Sequence, residues 1–195
     1  LSMPLFVAML FQTGFSAIDM IFLGMVSPEA IAAVGMVFPV LYFFVSFVMG
    51  VGVGLTSFIA RAVGEGDMNK AGRIASNGIV FSIVMSFSLA ILGVVLSRSL
   101  FVALGAGPEI IDSVLIYSRI IFVGFIFLFF AALCNSIIRG EGDTKTPMKF
   151  MLIATFLNIV FDPIFIFGFG PIPRMEVKGA ALAMVLSRSV MVFLV

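Results

Sequence analysis

Two carboxylates lie inside long apolar runs of this sequence, where an unpaired charge is costly. Asp19 lies within MPLFVAMLFQTGFSAIDMIFLG, and Asp162 lies within MLIATFLNIVFDPIFIFGFG. A charge at the centre of a membrane-spanning helix costs roughly 2.5 to 3.5 kcal/mol on insertion scales, so such residues usually face a cavity and have a function. Both aspartates are therefore candidates for binding or transferring a cation.

Asn158 and Asp162 are four residues apart, so a helix would place them on one face. Pro163 follows at once, and its missing N–H leaves the carbonyl of Ile159 without a helical donor. A carboxylate, an amide oxygen and an unpaired carbonyl suit either a proton or a sodium ion, because hard cations take oxygen ligands. The alternative is a buried hydrogen-bonded pair with a structural role only.

Asp19 shares its helix face with Phe15 and Gln12, at spacings of four and seven, and these two residues are candidates to line a cavity. If Asp19 lies near Asp162, two like charges in a poorly solvated site cannot both ionise easily, so one of them is expected to hold a proton. The alternative is that Asp19 caps the end of its helix close to Gly24.

The composition excludes several classes of protein. Apolar residues make up 62% of the chain, charged residues 11%, and the mean hydropathy is +1.29, whereas soluble proteins carry about 25% charged residues. The chain is therefore expected to be a polytopic membrane protein. A net charge of +1 gives no basic stripe for nucleic acid. One cysteine and no histidine exclude an internal disulfide and a histidine metal site, and we expect neither an enzyme nor a cofactor.

Six runs are long enough to cross a bilayer, which takes about 20 largely apolar residues. They lie near 3–25, 29–60, 71–97, 110–137, 148–169 and 177–195. The predicted fold class is an all-α membrane protein, a six-transmembrane-helix bundle. Because the chain begins and ends inside apolar runs, we expect a fragment of a longer protein.

Lysine and arginine are unevenly distributed among the loops. The loops at 61–70 and 139–147, with the helix ends beside them, hold Arg61, Lys70, Arg73, Arg139, Lys145 and Lys149, and the other loops hold Arg98, Arg174 and Lys178. The positive-inside rule then places these two loops and the N-terminus in the cytoplasm of a multi-pass plasma-membrane protein. The tetrapeptide Gly-Glu-Gly-Asp occurs in both, at 64–67 and 140–143, which indicates duplicated two-span units.

Other polar residues and glycines in the apolar runs give less specific indications of function. Arg119 is close enough to a helix end for its side chain to reach the interface, whereas Arg188 is either a counter-ion or a structural partner. Gly50, Gly52 and Gly54 are expected to allow close helix packing rather than phosphate binding.

Several motifs together resemble the multidrug and toxic compound extrusion (MATE) family. They are IFLGMVSPEAIAAVG at 21–35, NSIIRGEGDTKTPM at 135–148, NIVFDPIFIFGFG at 158–170 and KGAALAMVLSR at 178–188. The resemblance covers essentially the whole chain. It implies a twelve-helix transporter whose two six-helix lobes rock between inward- and outward-facing states, with this chain as the N-terminal lobe and the C-terminal lobe absent. Such transporters export organic cations or drugs in exchange for protons or sodium ions.

The chain is similar to the damage-inducible protein F branch of that family, whose N-lobe site uses an aspartate on the first helix with an asparagine and an aspartate on the fifth. Asp19, Asn158 and Asp162 match these residues. Met184 stands where the family has a threonine on the sixth helix. This difference favours protons over sodium, because a thioether is a poor ligand for a hard cation.

Two other functions stay open on the sequence. The first is a flippase for lipid-linked or polysaccharide precursors, which shares the architecture and would be favoured by several arginines facing the cavity. The second is a passive channel or structural half-bundle, which buried carboxylates disfavour. The sequence leaves the substrate and the oligomeric state undetermined.

Overall fold

The structure is a computed structural model that describes residues 21–22, 24–170 and 172–194. Five long α-helices follow one another in this part of the chain. They are α1 (Pro28–Gly64), α2 (Met68–Ala103), α3 (Ile111–Gly140), α4 (Lys145–Phe167) and α5 (Glu176–Leu194). The predicted span 3–25 falls almost wholly outside the described residues. The other five predicted runs each fall on one helix, and α1 to α4 are long and apolar enough to cross a membrane.

Polar caps decide where the first two helices begin. Ser27 accepts a hydrogen bond from the backbone N–H of Ala30 at 3.1 Å, and Pro28 opens α1; both are favoured at a helix start. Asp67 accepts from the backbone N–H of Lys70 at 2.9 Å and so starts α2 at Met68. These caps lengthen the helices beyond their apolar runs.

The central helix of the described part is α3, which packs against α1, α2 and α5. Its rings Phe122, Phe125 and Phe129 are buried, and Phe44 of α1 lies against the first two with ring centroids 5.8 Å and 5.4 Å away. Lipid tails are as apolar as these side chains, so association rests on van der Waals packing rather than on exclusion of water.

Glycines allow the closest approaches between helices. A Cβ at Gly124 of α3 would collide with Val185 of α5, and a Cβ at Gly140 would lie 2.8 Å from Ile59 of α1. The expectation for the glycines of α1 holds in part. Gly52 packs against Ser136 Oγ, with 2.6 Å to an added Cβ, but no atom of the other described elements lies within 4 Å of a Cβ at Gly50 or Gly54.

A tight connection positions α5 against α4. Gly168 ends α4 with φ +82°, a conformation that side chains with a Cβ rarely adopt. The backbone N–H of Met175 then donates to the carbonyl of Phe165 at 3.0 Å, and Gly179 packs so closely on the same carbonyl that a Cβ would not fit. The connection thereby brings α4 alongside α5.

Candidate functional site

One face of α4 carries a buried polar row. Thr155, Asn158, Asp162 and Ile166 are spaced three, four and four residues apart, and all four are buried. Asn158 is 4% exposed and Asp162 is 1% exposed. The Asn158 Nδ2 donates a hydrogen bond to Asp162 Oδ1 at 3.1 Å. The structure thus brings together the two residues that their four-residue spacing predicts to meet.

Asp162 differs from every other charged residue of the described part. Every other described Asp, Glu, Lys or Arg is at least partly exposed, whereas Asp162 is buried. Buried carboxylates are rare because burial removes the water that stabilises their charge. Its position, 17 residues after Lys145, corresponds to about 26 Å along α4. Asp162 is thus a buried carboxylate in the last third of an apolar helix, five residues before the helix ends at Phe167.

Most other buried polar side chains are satisfied by their own helices. Ser82, Ser86 and Ser97 of α2 donate to backbone carbonyls three residues earlier, and Ser187 of α5 does the same. Such bonds occupy the hydroxyl proton without linking helices. The Asn158–Asp162 hydrogen bond is different because it joins two side chains, and one of them, Asp162, can change its charge.

Pro163 does not interrupt α4, which continues to Phe167. Proline has no N–H, so the carbonyl of Ile159 lacks the donor that residue 163 would otherwise supply. That carbonyl lies three residues before Asp162 on the same helix. The extra backbone oxygen beside the carboxylate stays a prediction.

The remaining predicted site residues are not brought to Asp162 by the described contacts. Asp19, Gln12 and Phe15 lie outside the described residues. Met184 is partly buried on α5 and packs against the main apolar core, so its role stays a prediction. The Arg188 side chain is partly buried on the same helix.

Among the buried polar residues that the sequence did not single out, Thr155 and Tyr117 stand out. Thr155 lies on the face of Asn158 and donates its hydroxyl to the carbonyl of Met151 at 2.9 Å; its signal was the three-residue spacing. Tyr117 is fully buried on α3, and nothing in its local sequence separates it from a lipid-facing tyrosine. The described residues contain no group of three or more His, Cys, Asp or Glu side chains that could hold a metal.

The known proteins that this chain resembles include several transporters. The sequence matches the MatE family profile over residues 4–164. It is 32% identical to an FAD transporter of Shewanella oneidensis over 96% of this chain and 41% of that relative. It is 31% identical to the probable multidrug resistance protein NorM of Thermotoga maritima over 97% of this chain and 41% of that protein. A solved MOP-superfamily transporter of Pyrococcus furiosus, described as having a binding pocket of reverse polarity, superposes with a TM-score of 0.92 at 35% identity.

These matches define the class as a multi-pass, all-helical membrane protein of a transporter family. The chain belongs to the MATE family. The whole of this chain aligns with 42% of the Pyrococcus transporter. That share corresponds to one lobe of a twelve-helix transporter.

Proposed function

We propose that this chain is the N-terminal lobe of a secondary antiporter that exports organic cations or drugs in exchange for protons, with Asp19, Asn158 and Asp162 as the coupling site. The observation that carries the proposal is the burial of Asp162 at 1% exposure in contact with Asn158. A carboxylate in this setting takes up and releases a proton as its surroundings change between two states of the lobe.

Coupling follows from linkage between the two ligands. If the protonated site stabilises one state and the cationic substrate the other, each ligand weakens the binding of the other. A gradient of one pH unit supplies about 1.4 kcal/mol per proton, and 100 mV supplies about 2.3 kcal/mol per charge. Either is enough to concentrate a drug severalfold.

Met184 at the position of the family's threonine supports protons over sodium as the coupling ion, because a thioether is a poor ligand for a hard cation. The Asn158 N–H group donates to Asp162 Oδ1 at 3.1 Å, a bond that favours the ionised carboxylate, the form that remains after proton release.

A second candidate substrate is a flavin dinucleotide or a related anionic compound. The 32% identity to the FAD transporter of Shewanella oneidensis favours it. A flippase of lipid-linked or polysaccharide precursors is the remaining alternative within the superfamily. Both would need cationic groups, rather than carboxylates alone, on the cavity wall.

The test is proton release by the purified full-length transporter. Adding a cationic drug such as ethidium to weakly buffered protein should release protons, with or without sodium, and FAD should not. Proton release that disappears in Asp162→Asn but persists in Asp112→Asn, an exposed aspartate in the first turn of α3, would support the site. Strict sodium dependence without any proton release would refute proton coupling, and a response to FAD alone would favour the second substrate.

A further inference from the structure

A cleft opens between the ends of α1 and α3 next to the Gly-Glu-Gly-Asp loops. It has a volume of about 440 Å³ and is lined by Met49, Val53, Thr56, Ser57, Ala60 and Arg139. The five residues from α1 lie at positions i, i+4, i+7, i+8 and i+11, which is one side of a helix. They extend about 16 Å along it. The cleft is thus a groove with a guanidinium at the loop end and apolar side chains farther into the membrane.

Arg139 has no carboxylate partner in the described part of the chain. The ion pairs found there join Arg61 and Lys70 to Glu65, and Arg174 to Glu176. The Nη2 of Arg139 donates to Ser136 Oγ at 2.9 Å, a neutral acceptor. The other four N–H groups of the guanidinium make no hydrogen bond to a described residue.

The sequences of the two Gly-Glu-Gly-Asp loops explain why Arg61 has a carboxylate partner and Arg139 does not. In the first loop, Arg61 precedes Glu65 by four residues, so both lie on one helix face and pair at 3.0 Å. In the second loop, Arg139 precedes Glu141 by only two residues, and residues two apart do not face each other on a helix. The charge of Arg139 is therefore directed into the groove rather than toward its own loop.

The far end of the groove is strongly apolar and open. Val53 is 70% exposed and Met49 is 56% exposed, in a helix that is apolar enough to span the membrane. A single ligand that satisfies both ends needs an anionic head at the interface and a hydrocarbon tail. Basic pockets between transmembrane helices bind lipid headgroups in this way.

We propose that this groove binds one anionic phospholipid of the leaflet on the side of the Gly-Glu-Gly-Asp loops. Its phosphate accepts hydrogen bonds from the Arg139 guanidinium, for which a forked donor is well suited. One acyl chain lies along Val53 and Met49. The Ser57 hydroxyl, which lines the groove, is the second donor within the site. This site does not rest on the antiport reaction or on the coupling ion.

The experiment compares Arg139→Gln with Arg61→Gln in the full-length transporter. Both changes remove one guanidinium at the same membrane surface, but only Arg139 lines the groove. Native mass spectrometry with phosphatidylglycerol, and with phosphatidylcholine as the zwitterionic reference, measures bound lipid. A basic residue near a membrane surface contributes about 1 kcal/mol to anionic lipid binding, so Arg139→Gln should retain about fivefold less phosphatidylglycerol. Arg61→Gln should change it less than twofold, because the Arg61 guanidinium is already paired with Glu65 at 3.0 Å.

Two further variants and one competitor make the result decisive. Arg139→Lys keeps the charge without the fork and should lose part of the binding, and Val53→Phe should exclude lipid while leaving the charge in place. Equal losses in Arg139→Gln and Arg61→Gln would mean unspecific surface attraction and would overturn the proposal. So would complete displacement of lipid by inorganic phosphate. If Arg139→Gln lowers Tm equally with and without phosphatidylglycerol, Arg139 supports a protein contact, within this lobe or with the second one, rather than a lipid, and the proposal is wrong.

Discussion

Asp67 and Asp143 occupy the same place in two copies of one helix connector. The backbone N–H of Asp67 donates to the carbonyl of Ala62 at 3.0 Å, and that of Asp143 donates to the carbonyl of Ile138 at 3.2 Å, five residues earlier in each case. The glycine before each aspartate has positive φ, +77° and +97°. This is a Schellman-type helix end repeated 76 residues apart. The repeated tetrapeptide therefore corresponds to a repeated backbone geometry.

Replacing Asp143 should loosen the start of α4. Its carboxylate accepts hydrogen bonds from the Thr146 hydroxyl and from the backbone N–H groups of Thr146 and Lys145, and these bonds hold the pKa of Asp143 below its usual value. We expect Asp143→Ala to lower Tm by a few degrees in detergent, because helix-capping bonds are lost.

The pH dependence of this effect has a defined sign. A lowered folded-state pKa stabilises above the unfolded pKa, and the stabilisation is lost as the pH falls through the folded value. The Tm difference between the parent and Asp143→Ala should therefore be full near pH 7 and shrink below about pH 4. Glu141→Ala, in the same loop, is the control and should leave Tm unchanged; a loss equal to that of Asp143→Ala would contradict the capping role.

The coupling site should behave as a unit. Asp162→Asn keeps the size and hydrogen-bonding capacity of the side chain but removes the titrating group, so the protein should insert at least as well as the parent. Drug export driven by a pH gradient should nonetheless collapse. Asp19→Asn should do the same, and the double substitution should be little worse than either single one, since residues that act together are not additive.

Asn158→Ala should cause a milder loss of export, because Asn158 supplies a hydrogen bond rather than the proton. Fluorescent substrate efflux from vesicles measures all four variants. If Asp162→Asn exports normally while Asp19→Asn fails, the shared site is wrong, and Asp162 has only a structural role.

The two Gly-Glu-Gly-Asp loops should lie on the same side of the membrane, the cytoplasmic one, because they carry most of the loop lysines and arginines. Asn69→Cys and Glu141→Cys, each at an exposed position, should react with an impermeant maleimide only from the cytoplasm. Glu109→Cys should react only from outside. The buried Cys134 is first changed to Ala. Labelling of either loop from outside would reverse the orientation.

A methyl group at Gly124 should separate α3 from α5. A Cβ there would collide with Val185, and overpacking of a tight contact costs about 1 to 3 kcal/mol. Gly124→Ala should therefore lower the thermal stability clearly. Gly54→Ala is the matched control, because the space beside Gly54 is open and alanine favours a helix; it should be neutral or stabilising. Equal effects in both variants would mean that the α3–α5 contact is not critical.

Hydropathy predicted the existence of the helices better than their ends. The run predicted at 71–97 became a helix over Met68–Ala103, and the run at 148–169 became one over Lys145–Phe167. Asp67 and Asp143 accept hydrogen bonds from backbone N–H groups in the polar first turns of these two helices. A search for apolar runs cannot detect such caps, so it places the helix starts too late. With 37 residues, α1 is about 55 Å long, well beyond a hydrocarbon core of about 30 Å.

The site could be predicted only where it is local. The spacing of Asn158 and Asp162 fixed their contact, because two side chains four residues apart on one helix are neighbours. Contacts between helices depend on rotation and packing that a single sequence does not specify. Gly50, Gly52 and Gly54 look alike in the sequence, yet among the described helices only Gly52 has a close neighbour, Ser136 of α3.

Two side-chain ties hold α3 near its opposite ends. Thr56 of α1 donates to the carbonyl of Ser136 at 2.8 Å, and the Nε of Arg119 donates to Ser97 Oγ of α2 at 3.3 Å. Each of α1 and α2 is thus joined to α3 by a side-chain hydrogen bond as well as by packing, so the three helices are expected to move together. The helix that carries Asp162 contacts α3 only sparsely and lies along α5 instead. A shift of α4 that follows a change of charge at Asp162 would therefore reach the rest of the described part through α5, which packs on both α4 and α3.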